Sequence, residues 1–283
     1  MGDFQTCPPF DWGAKTHVMG VINVSPDSFS GDGLGDNPDA ILKQAIAFQN
    51  AGATIIDVGG ESTRPPGLYS GSKPISVRDE LQRVLPIIKL LRSELQIPIS
   101  IDTYKSQVAE AAVFEGASII NDIWGLKFDP MIANVAAKSD AYLVLMHNQD
   151  KPVYKDLITD IKLSLEESIG KALIAGVSSD KLILDPGIGF GKTAEHNLEV
   201  LRRLDEFTSL GKPILVGSSR KSTIGLVLDL PVDERIEGSA ATVALAISRG
   251  ADIVRVHDVK AMVRVAKMSD AIVRGWNRAS GDN

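Results

Sequence analysis

Short runs of apolar and β-branched residues recur along the chain at residues 18–22, 54–58, 97–101, 118–120, 141–145, 181–184, 213–216 and 252–256. Each is near-continuously apolar instead of alternating, the pattern of a strand covered on both faces. Between these runs the apolar residues fall three and four apart, as at Ile41, Leu42, Ala45, Ile46 and Phe48, and again at Leu81, Val84, Leu85, Ile88 and Leu91. That spacing predicts helices with one buried face. Start signals precede two of them, Asn37-Pro38-Asp39 and Ser76 ahead of Asp79-Glu80, where a side-chain oxygen can accept from free N–H groups of the first turn. Gly52, Gly116, Gly176 and Gly250 each follow a helical pattern, at the point where a left-handed residue commonly ends a helix.

Strands separated by helices imply parallel connections, and eight such units favour a closed (β/α)8 TIM barrel. A doubly wound open sheet permits the same alternation and stays open on pattern alone. No low-complexity tract, charge block or long linker divides residues 1–283, so they read as one α/β domain, with a leading strand or turn before Lys15.

Composition narrows the setting. Thirty Lys and Arg against 36 Asp and Glu give a net charge of −6, so no global positive field draws the chain to nucleic acid or an anionic membrane. Any anion has to be bound by local geometry. The single Cys7 has no partner for an intramolecular disulfide and no companions at metal-ligand spacing, which fits the cytoplasm. Neither a secretory leader nor a run of about 18 apolar residues is legible.

The residues that follow each predicted strand carry the chemistry, because parallel-barrel sites form at the carboxyl ends of the strands. They are Asn23, then Glu61-Ser62-Thr63-Arg64-Pro65, Asp102, Asn121-Asp122, His147, Asp185 with Gly187, Gly189, Phe190 and Gly191, Ser219-Arg220-Lys221-Ser222, and Arg255 with His257 and Asp258. Any one of these alone is more often a helix cap or turn residue than a functional one. Their convergence on one opening changes that reading, since capping does not require two Asp, an Asn, an Arg and a Lys together. The three glycines are spaced Gly-x-Gly-x-Gly and no acidic residue ends the following strand, which argues against a dinucleotide loop.

In order along the chain, Gly20-Val21-Ile22-Asn23-Val24-Ser25-Pro26-Asp27-Ser28-Phe29-Ser30, Gly59-Gly60-Glu61-Ser62-Thr63-Arg64-Pro65, Ser100-Ile101-Asp102-Thr103, Ile120-Asn121-Asp122, Asp185-Pro186-Gly187-Ile188-Gly189-Phe190-Gly191-Lys192, Ser219-Arg220-Lys221-Ser222 and Arg255-Val256-His257-Asp258 resemble the signatures of the dihydropteroate synthase family. The resemblance implies a dimeric (β/α)8 barrel that condenses 6-hydroxymethyl-7,8-dihydropterin pyrophosphate with p-aminobenzoate, using Mg2+ in folate biosynthesis. It also implies the roles. Asp185 accepts the pterin amine and ring N–H together, Asp102 and Asn121 take other edge atoms, Lys221 donates to the carbonyl side, and Arg255 lies on the ring face. Asn23, Arg255, His257 and donors around Ser62 and Thr63 would form the pyrophosphate site, with Asn23 also the protein ligand of Mg2+. Ser219 and Ser222 would serve the aminobenzoate carboxylate, Phe190, Pro65 and Phe29 would contact its ring, and Arg64 is a further expected substrate-binding residue. Asp102, Arg255 and His257 are the expected catalytic set, acting on an SN1-like transition state that needs no general base because a neutral arylamine is already nucleophilic. The chain departs from the family pattern at Pro66, after which residues 67–74 lengthen the second loop. A related pterin-binding methyltransferase and a non-catalytic pterin-binding paralogue are the rival readings.

Overall fold

The structure is a computed structural model that describes residues 10–24, 37–61 and 75–276. The chain alternates strand and helix except after β7, where two helices follow: β1 (His17–Asn23), α1 (Pro38–Ala51), β2 (Ile55–Gly59), α2 (Val77–Glu94), β3 (Ile99–Asp102), α3 (Ser106–Glu115), β4 (Ile119–Asp122), α4 (Met131–Ser139), β5 (Tyr142–Met146), α5 (Leu157–Ile174), β6 (Leu182–Asp185), α6 (Ala194–Arg202), β7 (Leu215–Val216), α7 (Ser222–Leu228), α8 (Ile236–Ser248), β8 (Ile253–Val256) and α9 (Val259–Val273).

The anticipated start signals act as caps. The Asn37 side chain accepts from the N–H groups of Asp39 and Ala40, and Ser76 Oγ accepts from Asp79 N at 3.1 Å. Gly52 ends α1 at φ 103°, and the other three predicted helix-ending glycines share its positive sign. In place of one helix after β7 the chain forms two, α7 and α8, joined through a left-handed Asp229.

All eight strands pair in parallel, in the order β6-β5-β4-β3-β2-β1-β8-β7. The open-sheet alternative falls at the remaining gap, where a parallel bridge joins Leu184 to Ile214 and Leu184 N donates to Pro213 O at 2.9 Å. The cylinder therefore closes between β6 and β7, and the fold is the expected (β/α)8 barrel.

Two apolar layers follow from closure. Outward residues such as Ile22, Val58, Ile101, Leu145, Leu184 and Val256 pack beneath the helices, while Met19, Ile55, Ile119, Tyr142, Val144, Ile183, Leu215 and Ile253 fill the interior. Phe10 and Trp12 pack against this inner layer, so residues 10–14 form a turn whose aromatics plug the amino-terminal end of the barrel. His17 sits edge-on to both rings, and burial there lowers its pKa to about 4.

Candidate functional site

Successive side chains of a strand alternate faces, so a residue two beyond an inner-layer position also points inward. On four strands that next inward residue is polar: Ile55 leads to Asp57, Ile119 to Asn121, Ile183 to Asp185, and Ile253 to Arg255. The parallel register sets Gly59 beside Asp102 and Asp102 beside Asn121. The barrel interior is thus apolar at one end and charged at the other. Asp102, Asn121, Asp185, Arg255 and His257 gather at the carboxyl ends of their strands.

At its centre Arg255 joins two carboxylates. Its Nε donates to Asp57 Oδ2 at 2.6 Å and its Nη2 to Asp102 Oδ2 at 2.8 Å, while Asn121 Nδ2 donates to Asp57 Oδ2 at 3.3 Å. Asp57 is wholly buried. The other oxygens, Asp57 Oδ1 and Asp102 Oδ1, have no hydrogen-bond partner among the described residues. Buried acceptors left in this state cost about 1–3 kcal/mol each, and a ligand bearing N–H groups would satisfy them. Burial pushes Asp102 up to about 7; Arg255 opposes that rise while Asp57 and Glu80 add to it. Although burial opposes it, Asp57 and Asp102 hold Arg255 above its ordinary value.

Asp185 ends β6 with its Oδ1 accepting from Gly187 N at 2.7 Å. Burial raises it to about 6, against the opposing pull of the Gly187 N–H, Lys221, Lys192 and Arg255. The chain then turns through Gly187 at φ 73°, where a Cβ would stand 1.9 Å from His147 O. Only glycine lets the loop lie so close to the end of β5. Lys192 Nζ lies 2.9 Å from His147 Nδ1, 3.0 Å from Gly187 O and 3.1 Å from Phe190 O. Lys221 Nζ stands 4.2 Å from the Phe190 ring centroid, a cation over an aromatic face.

The turn after β7 is held from three sides. Arg220 adopts φ 56°, an uncommon left-handed conformation for a non-glycine. Its guanidinium makes a two-pronged pair with Asp258, its N–H donates to Ser239 Oγ at 3.0 Å, and Arg235 Nη1 donates to its carbonyl at 3.1 Å. This fixes Lys221 immediately before α7, with Ser222 as the first helical residue. Ser219 Oγ accepts from the His257 backbone N–H and lies 3.2 Å from His257 Nδ1. Burial, followed by Arg255, Arg220 and Lys221, lowers His257 to about 3, so the imidazole is neutral near pH 7.

At the edge of the mouth, Lys105 Nζ contacts Glu61 Oε2 and Glu80 Oε2, both at 2.6 Å, and donates to Ile75 O at 3.0 Å. Tyr104 donates from its hydroxyl to Glu61 Oε1 at 2.8 Å. Ser62, Thr63, Arg64 and Pro65, with Cys7 and Phe29, lie outside the described residues. Asn23 ends β1, and no group of three His, Cys, Asp or Glu side chains able to hold a metal occurs among the described residues. The chemistry of a neutral amide oxygen such as that of Asn23 fits a cation carried mainly by phosphate oxygens and water.

Asp57 escaped the sequence reading because it sits inside an apolar run that reads as strand. Its signal was its charge alone: an Asp in such a run, two residues from a core isoleucine, has no solvent to face. Lys192 was legible only as the last letter of a motif, and its contact with His147 is purely tertiary.

Comparison with known proteins supplies the family. The model described as pterin binding enzyme matches residues 19–257. A dihydropteroate synthase of Bacillus subtilis is 52% identical over 259 residues, 92% of this chain and 89% of that protein, and one of Escherichia coli is 43% identical over 262 residues, 90% and 91%. The crystal structure of a dihydropteroate synthase from Clostridium difficile, determined in the presence of pteroic acid, superposes with a TM-score of 0.88 at 50% identity, covering 94% of this chain and 99% of that one. A Yersinia pestis dihydropteroate synthase in complex with a sulfonamide drug gives 0.86 at 40% identity, covering 93% and 96%. With a matching family model across most of its length and relatives at this identity, the chain belongs to the dihydropteroate synthase family, transferases of folate biosynthesis.

Proposed function

We propose that the charged mouth of this one-domain barrel binds 6-hydroxymethyl-7,8-dihydropterin pyrophosphate and p-aminobenzoate through the following residues, and joins them with release of pyrophosphate. The observation that carries these assignments is the inward set Asp57, Asp102, Asn121 and Asp185, buried around a partly exposed Arg255 above an apolar floor with carboxylate oxygens to spare. A pterin presents an exocyclic amine beside a ring N–H, and a carboxylate accepts both side by side. Asp185 supplies that pair, Asp102 and Asn121 meet further edge atoms, and Lys221 donates to the ring carbonyl. Arg255 offers its guanidinium plane to the ring face, held by two carboxylates.

Breaking the methylene C–O bond sends its electron pair to a pyrophosphate oxygen and leaves a cation delocalised into the dihydropterin. Asp102, fixed in a dry site, favours that cation electrostatically, and the developing charge in turn favours the carboxylate over the acid. The arylamine nitrogen then forms the new C–N bond and releases a proton to water or to the departing phosphate. His257 acts as a neutral N–H donor in the anion site, since burial and its cationic neighbours disfavour the imidazolium. Ser219 orients it, and Arg255 brings the positive charge, with Ser62 and Thr63 completing the site. Phe190, beneath Lys221, provides a face for the aminobenzoate ring, with Ser219 and Ser222 serving its carboxylate and Arg64 and Pro65, outside the described residues, as further contacts that the family resemblance implies. Asn23 would hold Mg2+, which neutralises phosphate oxygens when bound.

A homodimer in the cytoplasm completes the reading. Leu226 and Val227 on α7 and Leu245 on α8 are 70%, 59% and 57% exposed on neighbouring helices, an apolar face suited to a second copy. No helix among the described residues is long and apolar enough to cross a membrane. Incubating the purified protein with both substrates and Mg2+ tests the reaction: pyrophosphate release that requires the arylamine supports it, and pterin binding without turnover refutes it. Light scattering reads the oligomeric state.

A further inference from the structure

We propose that Lys192 is a positioning residue of the pterin pocket, clamping the loop between β6 and α6 onto the end of β5 and supplying a third cation that faces Asp185. This rests on the functional reading above and deepens it.

The clamp is visible in the geometry. All three positions around Lys192 Nζ are occupied: Gly187 O at 3.0 Å, Phe190 O at 3.1 Å and His147 Nδ1 at 2.9 Å. Gly187 O also accepts from Phe190 N at 3.1 Å, so the loop closes one turn around the ammonium. Each end of that turn is one bond from a side chain assigned to ligand. Gly187 N donates to Asp185 Oδ1, and Phe190 carries the ring beneath Lys221. His147 is fully buried and accepts through Nδ1, leaving its proton on Nε2; burial, then Lys192, lowers its basicity to about 2.

Hydrogen bonding alone does not call for a cation. A neutral amide could serve two carbonyls without the cost of desolvating a charge, and that desolvation lowers Lys192 to about 7. No carboxylate among the described residues pairs with it at contact distance. Its charge acts instead across the loop on Asp185. The groups facing Asp185 are Lys221 from the turn after β7, Arg255 from β8, and Lys192 and the Gly187 N–H from its own loop. Lys192 itself faces Asp185, Lys127, Lys221 and His147. On the acid side of neutrality, where Lys192 carries its proton, it joins Lys221 and Arg255 in holding Asp185 down. Without it Asp185 retains its proton to higher pH, where it accepts only one of the two pterin N–H groups well.

Lys192→Gln separates charge from geometry, because the amide still reaches a carbonyl, and Lys192→Arg keeps the charge. Dihydropterin pyrophosphate binding and KM are measured from pH 5.5 to 8.5, with melting curves confirming the fold. Expected for K192Q is an acidic inflection moved upward, with KM raised about tenfold on the acid side, what a tenfold change in the proton affinity of Asp185 produces. Its kcat changes less, and K192R restores the inflection. Wild-type affinity and inflection in K192Q overturn the proposal, as does equal impairment of K192Q and K192R. If K192Q does not fold, NMR titration of side-chain-labelled lysines in the wild-type protein decides. One lysine titrating near neutrality and moving on pterin addition supports the idea, and its absence refutes it. Failure of the wild-type protein to bind the pterin at all defeats the functional reading instead.

Discussion

Removing Asp57 isolates what holds Arg255 in place. Asp57 Oδ2 accepts from Arg255 Nε at 2.6 Å and from Asn121 Nδ2 at 3.3 Å, inside the barrel and with no exposure to solvent. In Asp57→Ala the guanidinium keeps only Asp102, and the Asn121 amide loses its acceptor. A unit charge pair about 4 Å apart at an effective dielectric near 20 is worth about 4 kcal/mol, and breaking a buried pair by deleting one partner costs about 3–5 kcal/mol. Because Asp102 still accepts from Nη2, the expected loss is about 3 kcal/mol, the lower end of that range. Urea denaturation of D57A against wild type measures it through a lower midpoint at unchanged slope. The double variant D57L/R255M, which buries no unpaired charge, should recover most of the difference. Pterin affinity should fall in D57A as the guanidinium loses its fixed plane. A D57A midpoint within about 0.5 kcal/mol of wild type, the size of an ordinary surface substitution, would refute the idea that this carboxylate anchors Arg255.

Three further outcomes follow from the same geometry. Asp185 is raised to about 6 in the free protein and its carboxylate is the form that accepts two N–H groups. Pterin affinity should therefore hold above pH 6 and fall below it by about tenfold per pH unit, as calorimetry across that range would show, while Asp185→Ala should abolish binding at every pH. Gly187→Ala forces a Cβ to 1.9 Å from His147 O at φ 73°, so it should destabilise the protein by about 1–3 kcal/mol and weaken pterin binding, both readable from melting with and without ligand. Lys105→Met leaves Glu61 and Glu80 facing each other without their cation; a loss of about 3–5 kcal/mol is expected, and partial recovery in Glu80→Gln/Lys105→Met would confirm the cause.

Much of the scaffold is written locally. Asn37 and Ser76 cap the helices their positions announce, and Gly52 takes the left-handed conformation that a helix end asks for. The strands were anticipated in number and order, yet most begin and end one or two residues later than the apolar runs suggest. Asp102, Asp122 and Asp185 belong to strands because their backbones pair with neighbouring strands. Hydrogen-bond register, not side-chain polarity, decides where a strand stops. The second helix after β7 was not foreseen, since its sequence carries no break stronger than Asp229 and Pro231.

What the sequence determined by itself was the alternation of strand and helix, the helix ends, the polar residues at strand termini and, through their order, the family. What only the tertiary structure decided was which way each strand faces. Strands buried on both sides carry no alternation to reveal their inward face, so Asp57 looked like part of a hydrophobic run until closure between Leu184 and Ile214 turned it toward Arg255. Proton affinities were equally beyond the sequence. The neutral imidazole of His257, the raised carboxyls of Asp102 and Asp185 and the lowered Lys192 arise from desolvation and from charges brought close by residues far away in the chain. Distance in space sets both effects, and only folding fixes it.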